Sequence, residues 1–217
     1  MSERGEQVEG QILEGPIVEG RGGVSRVEAF SDGVIAIIIT IMVLELKAPL
    51  ETGSGALWAL WPTFVAYILS YVYVAIYWVN HHRLFSHALK VTPGLLWANI
   101  ALLFALSLVP FSTAYLGEHE FGRDATLLYL ATMLLPSLTY GVLQAVIMRS
   151  GACGPASTRY LVATQRKGIA ATMVYLAGIP LTLVSPPLGI GCAALVALFW
   201  CMPFSRLDAL FMPNECA

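Results

Sequence analysis

The stretch of sequence that decides the fold runs from residue 26 to residue 47 and reads RVEAFSDGVIAIIITIMVLELK. From Val34 to Leu44 it carries no charge, and Thr40 is its only polar side chain. The apolar part, residues 29–46, has 18 residues. As an α-helix it is about 27 Å long, at 1.5 Å per residue. Because that length just crosses the hydrocarbon core of a bilayer, the stretch predicts a membrane-spanning helix.

The composition of the whole chain is typical of an integral membrane protein. Of 217 residues, 57% are hydrophobic and 12% are charged, which is half of the roughly 25% charged residues in an ordinary soluble domain. This composition disfavours a soluble globular fold, and it excludes an intrinsically disordered chain, which needs low hydrophobicity and high charge. The net charge of −2 leaves no basic excess for binding nucleic-acid phosphates.

Five more apolar segments follow the first, and each is long enough, or nearly so, to cross a bilayer. They lie at 57–79, 95–116, 126–148, 168–184 and 188–204. We therefore predict an all-α membrane protein with six transmembrane helices per subunit. The predicted domain organisation is an acidic disordered tail at 1–24, a six-helix membrane domain at 25–206 and a short C-terminal tail at 207–217. Pro110, Pro136 and Pro180 are expected to kink or interrupt the third, fourth and fifth helices.

The distribution of Lys and Arg predicts the orientation in the membrane. With the N-terminus on the inside, ten of the twelve basic residues lie inside, as the positive-inside rule requires. The inside set is Arg4, Arg21, Arg26, Arg83, Lys90, Arg149, Arg159, Arg166, Lys167 and Arg206, and the outside set is Lys47 and Arg123. An even number of spans returns the C-terminus to the same side, so both termini are predicted to be cytoplasmic in a multi-pass protein of the cell membrane.

A helical wheel of the first span separates its aliphatic residues from its carboxylate. At about 100° per residue, with Ile37 at 0°, Ile41 lies at about 40°, Leu44 at about −20° and Thr40 at about −60°. Asp32 lies nearly opposite, at about −140°. From the pattern alone, such an aliphatic stripe indicates a lipid-facing or packing surface. A carboxylate near the inner end of a span indicates a structural hydrogen bond or ion pair, with a role in transport as the alternative.

A histidine cluster follows the second span, where residues 77–87 read YWVNHHRLFSH. The adjacent pair His81 and His82 points in two directions about 100° apart, and neither Cys nor Asp nor Glu lies nearby in sequence, so the spacing disfavours a zinc site. A proton relay fits better because His titrates near neutral pH. An interfacial hydrogen-bond network fits best, and a contact among Arg26, Asp32 and His81 is geometrically possible.

Arg26-xxx-Phe30-Ser31-Asp32, opening an apolar helix that ends in Leu-Glu-Leu-Lys, resembles the signature of the transmembrane protein 175 family. These are the endosomal and lysosomal potassium channels and their prokaryotic relatives. Trp-Val-Asn-His at 78–81, Arg-Leu-Phe at 83–85 and the segment 99–117 are also similar to that family. The resemblance covers about residues 26–206. Animal members carry two six-helix repeats, so this chain is similar to the prokaryotic form with one.

The resemblance implies a homotetramer in membrane lipid with a central pore lined by the first helix of each subunit, and a chain that is no enzyme and holds no metal or cofactor beyond the permeant K⁺. It implies that Ile37 is the narrowest constriction, that Ile41 and Leu44 continue the pore lining, and that Thr40 contributes to cation selectivity. It also implies a structural network near the cytoplasmic end that does not contact ions. Its members are Arg26, Phe30, Ser31, Asp32, Trp78 and His81.

Three other functions stay open beside the channel. A secondary transporter would couple protons through Asp32 and the His81/His82 pair, although the unbroken apolar centre of the first helix favours a channel. An intramembrane enzyme needs a nucleophile and a base, or a metal site, within reach of each other, and the sequence shows no such constellation. A scaffold or assembly protein would conduct no ions.

Overall fold

A computed structural model of the chain describes residues 16–50, 52–150 and 154–201. All secondary-structure elements within these ranges are helical. They are α1 (Pro16–Met42), a 3-10 turn (Val43–Glu45), α2 (Ser54–Ala59), α3 (Trp61–Phe85), α4 (Pro93–Ser107), α5 (Val109–Glu118), α6 (Arg123–Arg149), α7 (Gly154–Val184) and α8 (Pro186–Cys201).

Five helical stretches in the described residues are long and apolar enough to cross a membrane. They are Gly22–Glu45, Trp61–Phe85, Pro93–Glu118, Arg123–Arg149 and Thr158–Val184. The segment predicted as the sixth span forms α8, an apolar helix of 16 residues that begins directly after Ser185. Residues 202–206, at the end of the predicted membrane domain, lie outside the described residues. The fold is thus an all-helical multi-pass membrane fold.

The first helix begins earlier than predicted. The acidic tail was predicted to reach residue 24, whereas α1 starts at Pro16. Proline fits the first turn of a helix because its missing N–H has no intrahelical partner there. A helix already formed in the membrane also extends outward without a new nucleation cost, and Val24 is buried against the bundle. Residues 1–15 and the predicted C-terminal tail 207–217 lie outside the described residues.

The three prolines within the spans have different effects. Pro110 accompanies the break expected in the third span: α4 ends at Ser107 and α5 begins at Val109. Proline lacks the N–H needed to continue the helical hydrogen bonds. Pro136 and Pro180 lie inside α6 and α7, and neither interrupts its helix. Of the predicted kinks or interruptions, an interruption is therefore present in the third span, and the fourth and fifth helices continue past their prolines.

Helix α6 is central to the bundle, since it packs against α4, α5, α7 and α8. Its inward face includes Tyr129, Leu130, Met133 and Leu143, and each of these side chains is fully buried. Helices α3 and α5 approach each other closely at Gly117, where a Cβ atom would lie 2.7 Å from the Cα of Thr63. A residue without a side chain is required there because a backbone atom cannot move aside.

Helix α1 makes its main contacts with α3, α4 and α5. It therefore has one face against the bundle and a second face that the rest of the subunit leaves uncovered. The residues of these two faces are given in the next section.

Candidate functional site

The uncovered face of α1 is the aliphatic stripe found on the helical wheel. Ile37 is 61% exposed, Ile41 is 40% exposed and Leu44 is 74% exposed. The opposite face carries Ile35 and Met42, each 1% exposed. Two sets of similar aliphatic side chains on one helix thus have opposite environments. One set fills the core of the subunit, and the other is left uncovered by the described residues.

Leu44 lies beyond the end of the α-helix, in the 3-10 turn. The tighter turn advances about 120° per residue rather than 100°, which rotates Leu44 by about 40° from its predicted position. On the helical wheel, this rotation moves Leu44 from one side of Ile37 to the other, so Leu44 stays on the same face as Ile37 and Ile41. The stripe therefore runs without interruption from the middle of α1 to its outer end.

Thr40 is exposed on the flank of this stripe. Its Oγ1 donates a hydrogen bond to the carbonyl oxygen of Ile37 over 3.0 Å, which fixes the hydroxyl on the helix surface. Since a hydroxyl has one hydrogen and two lone pairs, its acceptor capacity remains free. The arrangement presents an oxygen that can accept from water or contact a cation.

On the covered side of α1, a chain of hydrogen bonds joins three helices. Asn99 of α4 donates from Nδ2 to Oγ of Ser31 over 2.8 Å, and Ser31 donates to the carbonyl of Val27 over 2.8 Å. His81 of α3 lies 2.9 Å from Oδ1 of Asn99 through its Nε2. Because Ser31 uses its proton on Val27, Asn99 must donate to it and accept from His81. The directions therefore assign the Nε2–H tautomer to His81.

The Ser31–Asn99–His81 chain is fully enclosed. Ser31 and His81 are 0% exposed and Asn99 is 2% exposed. The ring of His81 stacks on Phe85, with 4.3 Å between ring centroids, and its Nδ1 has no hydrogen-bond partner among the described residues. Since buried polar groups are costly when unpaired, the chain holds α1, α3 and α4 in one register.

Two further contacts join α1 to α3 beside this chain. The indole Nε1 of Trp78 donates to Oδ1 of Asp32 over 3.0 Å, and Nδ1 of His82 donates to Oε1 of Glu28 over 2.7 Å. The rings of Trp78 and His82 stack with centroids 6.4 Å apart. These groups are partly exposed, so the contacts form a polar strip along the edge of the α1–α3 interface.

Arg26 and Phe30 do not join these contacts. Both are exposed and lie one turn apart on the uncovered face of α1, and Phe30 is 61% exposed. Arg26 makes neither a hydrogen bond nor an ion pair with the described residues, so the three-way contact of Arg26, Asp32 and His81 considered above is not formed. Of the six residues grouped as one network, the structure brings four to the α1–α3–α4 interface and leaves two on the face that none of the described helices covers.

Beyond the C-terminal end of α1, Lys47 pairs with Glu118 at the end of α5, with 2.8 Å between Nζ and Oε1. The Glu118 carboxylate raises the pKa of Lys47 above its usual value through this hydrogen bond. Both side chains are solvated, at 73% and 50% exposure, and such pairs contribute little to stability. The pair places the predicted outer ends of the first and third spans side by side.

The groups considered for proton coupling or metal binding are held apart. Asp32 bonds to Trp78, His81 to Asn99 and His82 to Glu28, so no hydrogen bond joins Asp32 to either histidine. Within the part of the chain that the structure describes, no three His, Cys, Asp or Glu residues are grouped so that they could hold a metal ion.

Two residues of this interface were not singled out from the sequence. Asn99 connects α1 and α3, yet in the sequence it is one of several polar residues within the spans. Its signal is that an amide is expensive in the middle of an apolar helix. Glu28 pairs with His82 across 54 positions, and a contact at that separation leaves no pattern in a single sequence.

Comparison with known proteins finds a family model and several channels that are similar to this chain. The family model described as endosomal/lysosomal potassium channel TMEM175 matches residues 26–110, which hold α1, α3, α4 and both polar contact sets. The chain is 40% identical over 191 residues to a potassium channel of Chryseobacterium sp. (strain P1-3), covering 87% of this chain and 98% of that one. It is 34% identical over 189 residues to a potassium channel of Streptomyces collinus, covering 81% and 90%.

A solved structure shares the fold. The crystal structure of a lysosomal potassium-selective channel TMEM175 homolog from Chamaesiphon minutus superposes with a TM-score of 0.74 at 28% sequence identity, covering 82% of this chain and 96% of that chain. The match at nearly full length of a curated relative extends well beyond the short signature that suggested the resemblance. The chain therefore belongs to the family of the endosomal/lysosomal potassium channel TMEM175.

Proposed function

We propose that the protein is a potassium-permeable cation channel in which four copies of α1 surround a central pore. The observation that carries this proposal is the uncovered aliphatic face of α1, described above, on a helix whose other face is tied to α3 and α4 by buried hydrogen bonds. Aliphatic residues spaced four and three apart form the kind of seam by which parallel helices pack around a common axis. A homotetramer would cover this face and create the ion path at its centre.

In the proposed pore, Ile37 forms the narrowest ring, and Ile41 and Leu44 continue the lining outward. A ring of four branched side chains closes a narrow pore by excluding water, since hydrophobic constrictions gate by dewetting. Such a ring binds no ion tightly, so discrimination between cations needs oxygen atoms nearby. The exposed Thr40 hydroxyl, fixed on the helix surface beside this ring, is the proposed source of those atoms.

The buried contacts give α1 a fixed rotation in each subunit. We propose that Ser31, Asp32, Trp78 and His81 position α1 without contacting ions, since their polar atoms lie on its covered side or at its edge. Arg26 and Phe30 lie on the same face as Ile37, about three and two turns further inward. In the proposed tetramer they lie between neighbouring first helices.

The proposed topology has six crossings with both termini cytoplasmic, and the proposed location is the plasma membrane. The ten-to-two distribution of basic residues supports this orientation. The pairing of Lys47 with Glu118 supports a topology in which the end of the first span and the end of the third lie on the same side. The short helix α8 follows α7 directly and returns the chain to the inner side.

The experiment that tests the proposed function is a flux assay on purified protein in liposomes. We expect K⁺ to enter proteoliposomes without any pH gradient, empty liposomes to show no flux, and the purified protein to have the mass of four chains. Flux that depends on a proton gradient would instead support the transporter based on Asp32, His81 and His82. Absence of flux under both conditions would contradict the channel and favour a scaffold.

A further inference from the structure

A cavity of about 400 Å³ lies on the other side of the subunit from the uncovered face of α1. It is enclosed by α3, α6, α7 and α8. Helices α6 and α7, which line most of it, do not have α1 among their main neighbours. Its size falls within the range of cavities that bind small organic ligands in proteins, about 300–1,000 Å³.

The cavity has an open mouth and a buried floor. Leu138, Val142, Ile169 and Met173 line it and are between 49% and 57% exposed, so its mouth is an apolar opening between α6 and α7. The floor includes Tyr175 of α7, which is 1% exposed. An apolar mouth on the flank of a membrane helix bundle opens toward lipid, so the occupant comes from the bilayer.

The segments of the four helices that line the cavity lie at a similar depth in the helix bundle. It is lined by the C-terminal halves of α3, α6 and α8 and by the middle of α7, with residues between 73–80, 137–145, 165–175 and 196–200. All four segments lie toward the end of the bundle that carries the Ser31–Asn99–His81 chain. In the topology proposed above, this is the cytoplasmic half of the membrane.

One polar group on the floor has no partner. The hydroxyl of Tyr175 is buried and makes no hydrogen bond with the described residues. The hydroxyls of two neighbouring tyrosines have partners. Tyr73 donates to the carbonyl of Met133 over 2.6 Å, and Tyr140 donates to the carbonyl of Asn80 over 3.1 Å. Because a buried hydroxyl without a partner is costly, a ligand oxygen that accepts a hydrogen bond from Tyr175 would recover that cost.

The lining side chains also favour a ligand without charge. None of the lining residues within the described ranges is ionisable as an acid or a base near neutral pH: they are aliphatic, aromatic, hydroxyl or amide side chains. Lys167 does not line the cavity: its Nζ lies over the ring of Trp200, a lining residue, 4.7 Å from the centroid. A carboxylate or phosphate headgroup would therefore enter a largely apolar space in which no lining side chain pairs with its charge, at a high cost.

We propose that this cavity is a binding site for a neutral amphiphile from the bilayer, with one hydroxyl or carbonyl oxygen on an apolar chain or ring. The oxygen accepts a hydrogen bond from Tyr175, and the apolar part lies between the exposed side chains of α6 and α7. A medium-chain alcohol has this chemistry. The site is separate from the proposed pore, and its occupancy is measured without ion flux, so the two proposals fail independently.

The test uses a diazirine-bearing octanol as a photolabel on the full-length protein in liposomes, with peptide mass spectrometry to locate the adducts. We expect adducts on the cavity-lining segments of α6 and α7, and we expect an excess of unlabelled 1-octanol to remove them. The conservative variant Tyr175→Phe, which deletes only the hydroxyl, should lower this competed labelling several-fold.

Two glycines allow the cavity to be filled without a clash at the backbone. A Cβ at Gly141 or Gly168 meets no atom within 4 Å among the described residues, and both positions line the cavity. Gly141→Leu and Gly168→Leu should each abolish competed labelling. Gly191→Leu is the matched control, because its Cβ is equally free and it does not line the cavity, so labelling should match the wild type.

Labelling that spreads over all lipid-exposed helices and resists 1-octanol would overturn the proposal. Competed labelling that persists in both Gly141→Leu and Gly168→Leu would also overturn it. The two filling variants lie on different helices, so a folding failure of one leaves the other to decide.

Discussion

At the scale of single residues, the central contrast is between side chains of the same chemistry in opposite environments. Ile35 and Ile37 are two positions apart on α1, yet the first is 1% exposed and the second is 61% exposed. Burial of the first stabilises the subunit. Exposure of the second leaves apolar surface that either lipid or another copy of α1 must cover, and Thr40 adds a hydroxyl to that surface.

The Thr40 hydroxyl should determine how well the channel separates K⁺ from Na⁺. We expect Thr40→Val, which keeps the shape and removes the oxygen, to lower the K⁺/Na⁺ permeability ratio about fivefold, since a lost contact of about 1 kcal/mol corresponds to roughly that factor. Thr40→Ser keeps the oxygen and should retain the ratio. Reversal potentials under bi-ionic conditions measure both, and an unchanged ratio in Thr40→Val would remove the selectivity role.

At the scale of helices, the buried hydrogen-bond chain decides how α1 is held. Asn99 is the link that reaches both neighbours, with Ser31 of α1 on one side and His81 of α3 on the other. Interhelical hydrogen bonds in membranes contribute about 0.6 kcal/mol on average. Removing Asn99 breaks two of them at once and leaves a buried donor on His81 without an acceptor.

We therefore expect Asn99→Leu to lower the free energy of unfolding by about 1–3 kcal/mol, the cost of an unsatisfied buried donor. Thr139→Val is the control, because Oγ1 of Thr139 bonds only to carbonyls of its own helix in the described structure, and its effect should stay within about 0.5 kcal/mol. Unfolding by denaturing detergent in mixed micelles measures both variants. If Asn99→Leu were as stable as Thr139→Val, the Ser31–Asn99–His81 hydrogen bonds would not be what holds α1 in place.

The helices could be predicted from the sequence with good accuracy where apolar length decides. The C-terminal end of α3, both ends of α6 and the N-terminal end of α7 lie beyond the predicted apolar segments, because helices continue into the polar boundary once started. The same effect extends α1 back to Pro16. The partners of polar side chains could not be predicted, since Asn99, Thr113, Gln144 and Thr172 bond across helices, whereas residues of the same type bond to their own helix.

The candidate site could also be predicted from the sequence only in part. The wheel placed Ile37, Ile41, Leu44 and Thr40 on one face from spacing alone, and that face is the uncovered one. The signature residues were treated as one network, but their separation into a covered set and an uncovered pair depends on which helices pack against α1. That packing is a tertiary property, and no periodicity in the sequence carries it.

At the scale of the whole molecule, contacts within one subunit account for only one of the two faces of α1. The face toward α3, α4 and α5 is fixed by packing and hydrogen bonds, and the other face gains its function only in the proposed tetramer. Two surfaces of the subunit thus have different proposed partners: other copies of the chain at α1, and a bilayer ligand between α6 and α7. The central claim is that the α1 face becomes a closed, water-excluding ring.

The most direct test of that claim is the K⁺ flux of Ile37→Asn in liposomes, compared with Ile68→Asn. Both positions carry an exposed isoleucine, at 61% and 58%, but Ile68 lies on α3. A polar ring at position 37 admits water, so we predict that Ile37→Asn raises the flux at least about tenfold, which requires a barrier only about 1.4 kcal/mol lower. Ile68→Asn should conduct like the wild type. Unchanged flux in Ile37→Asn, or an equal rise in Ile68→Asn, would contradict a pore lined by α1.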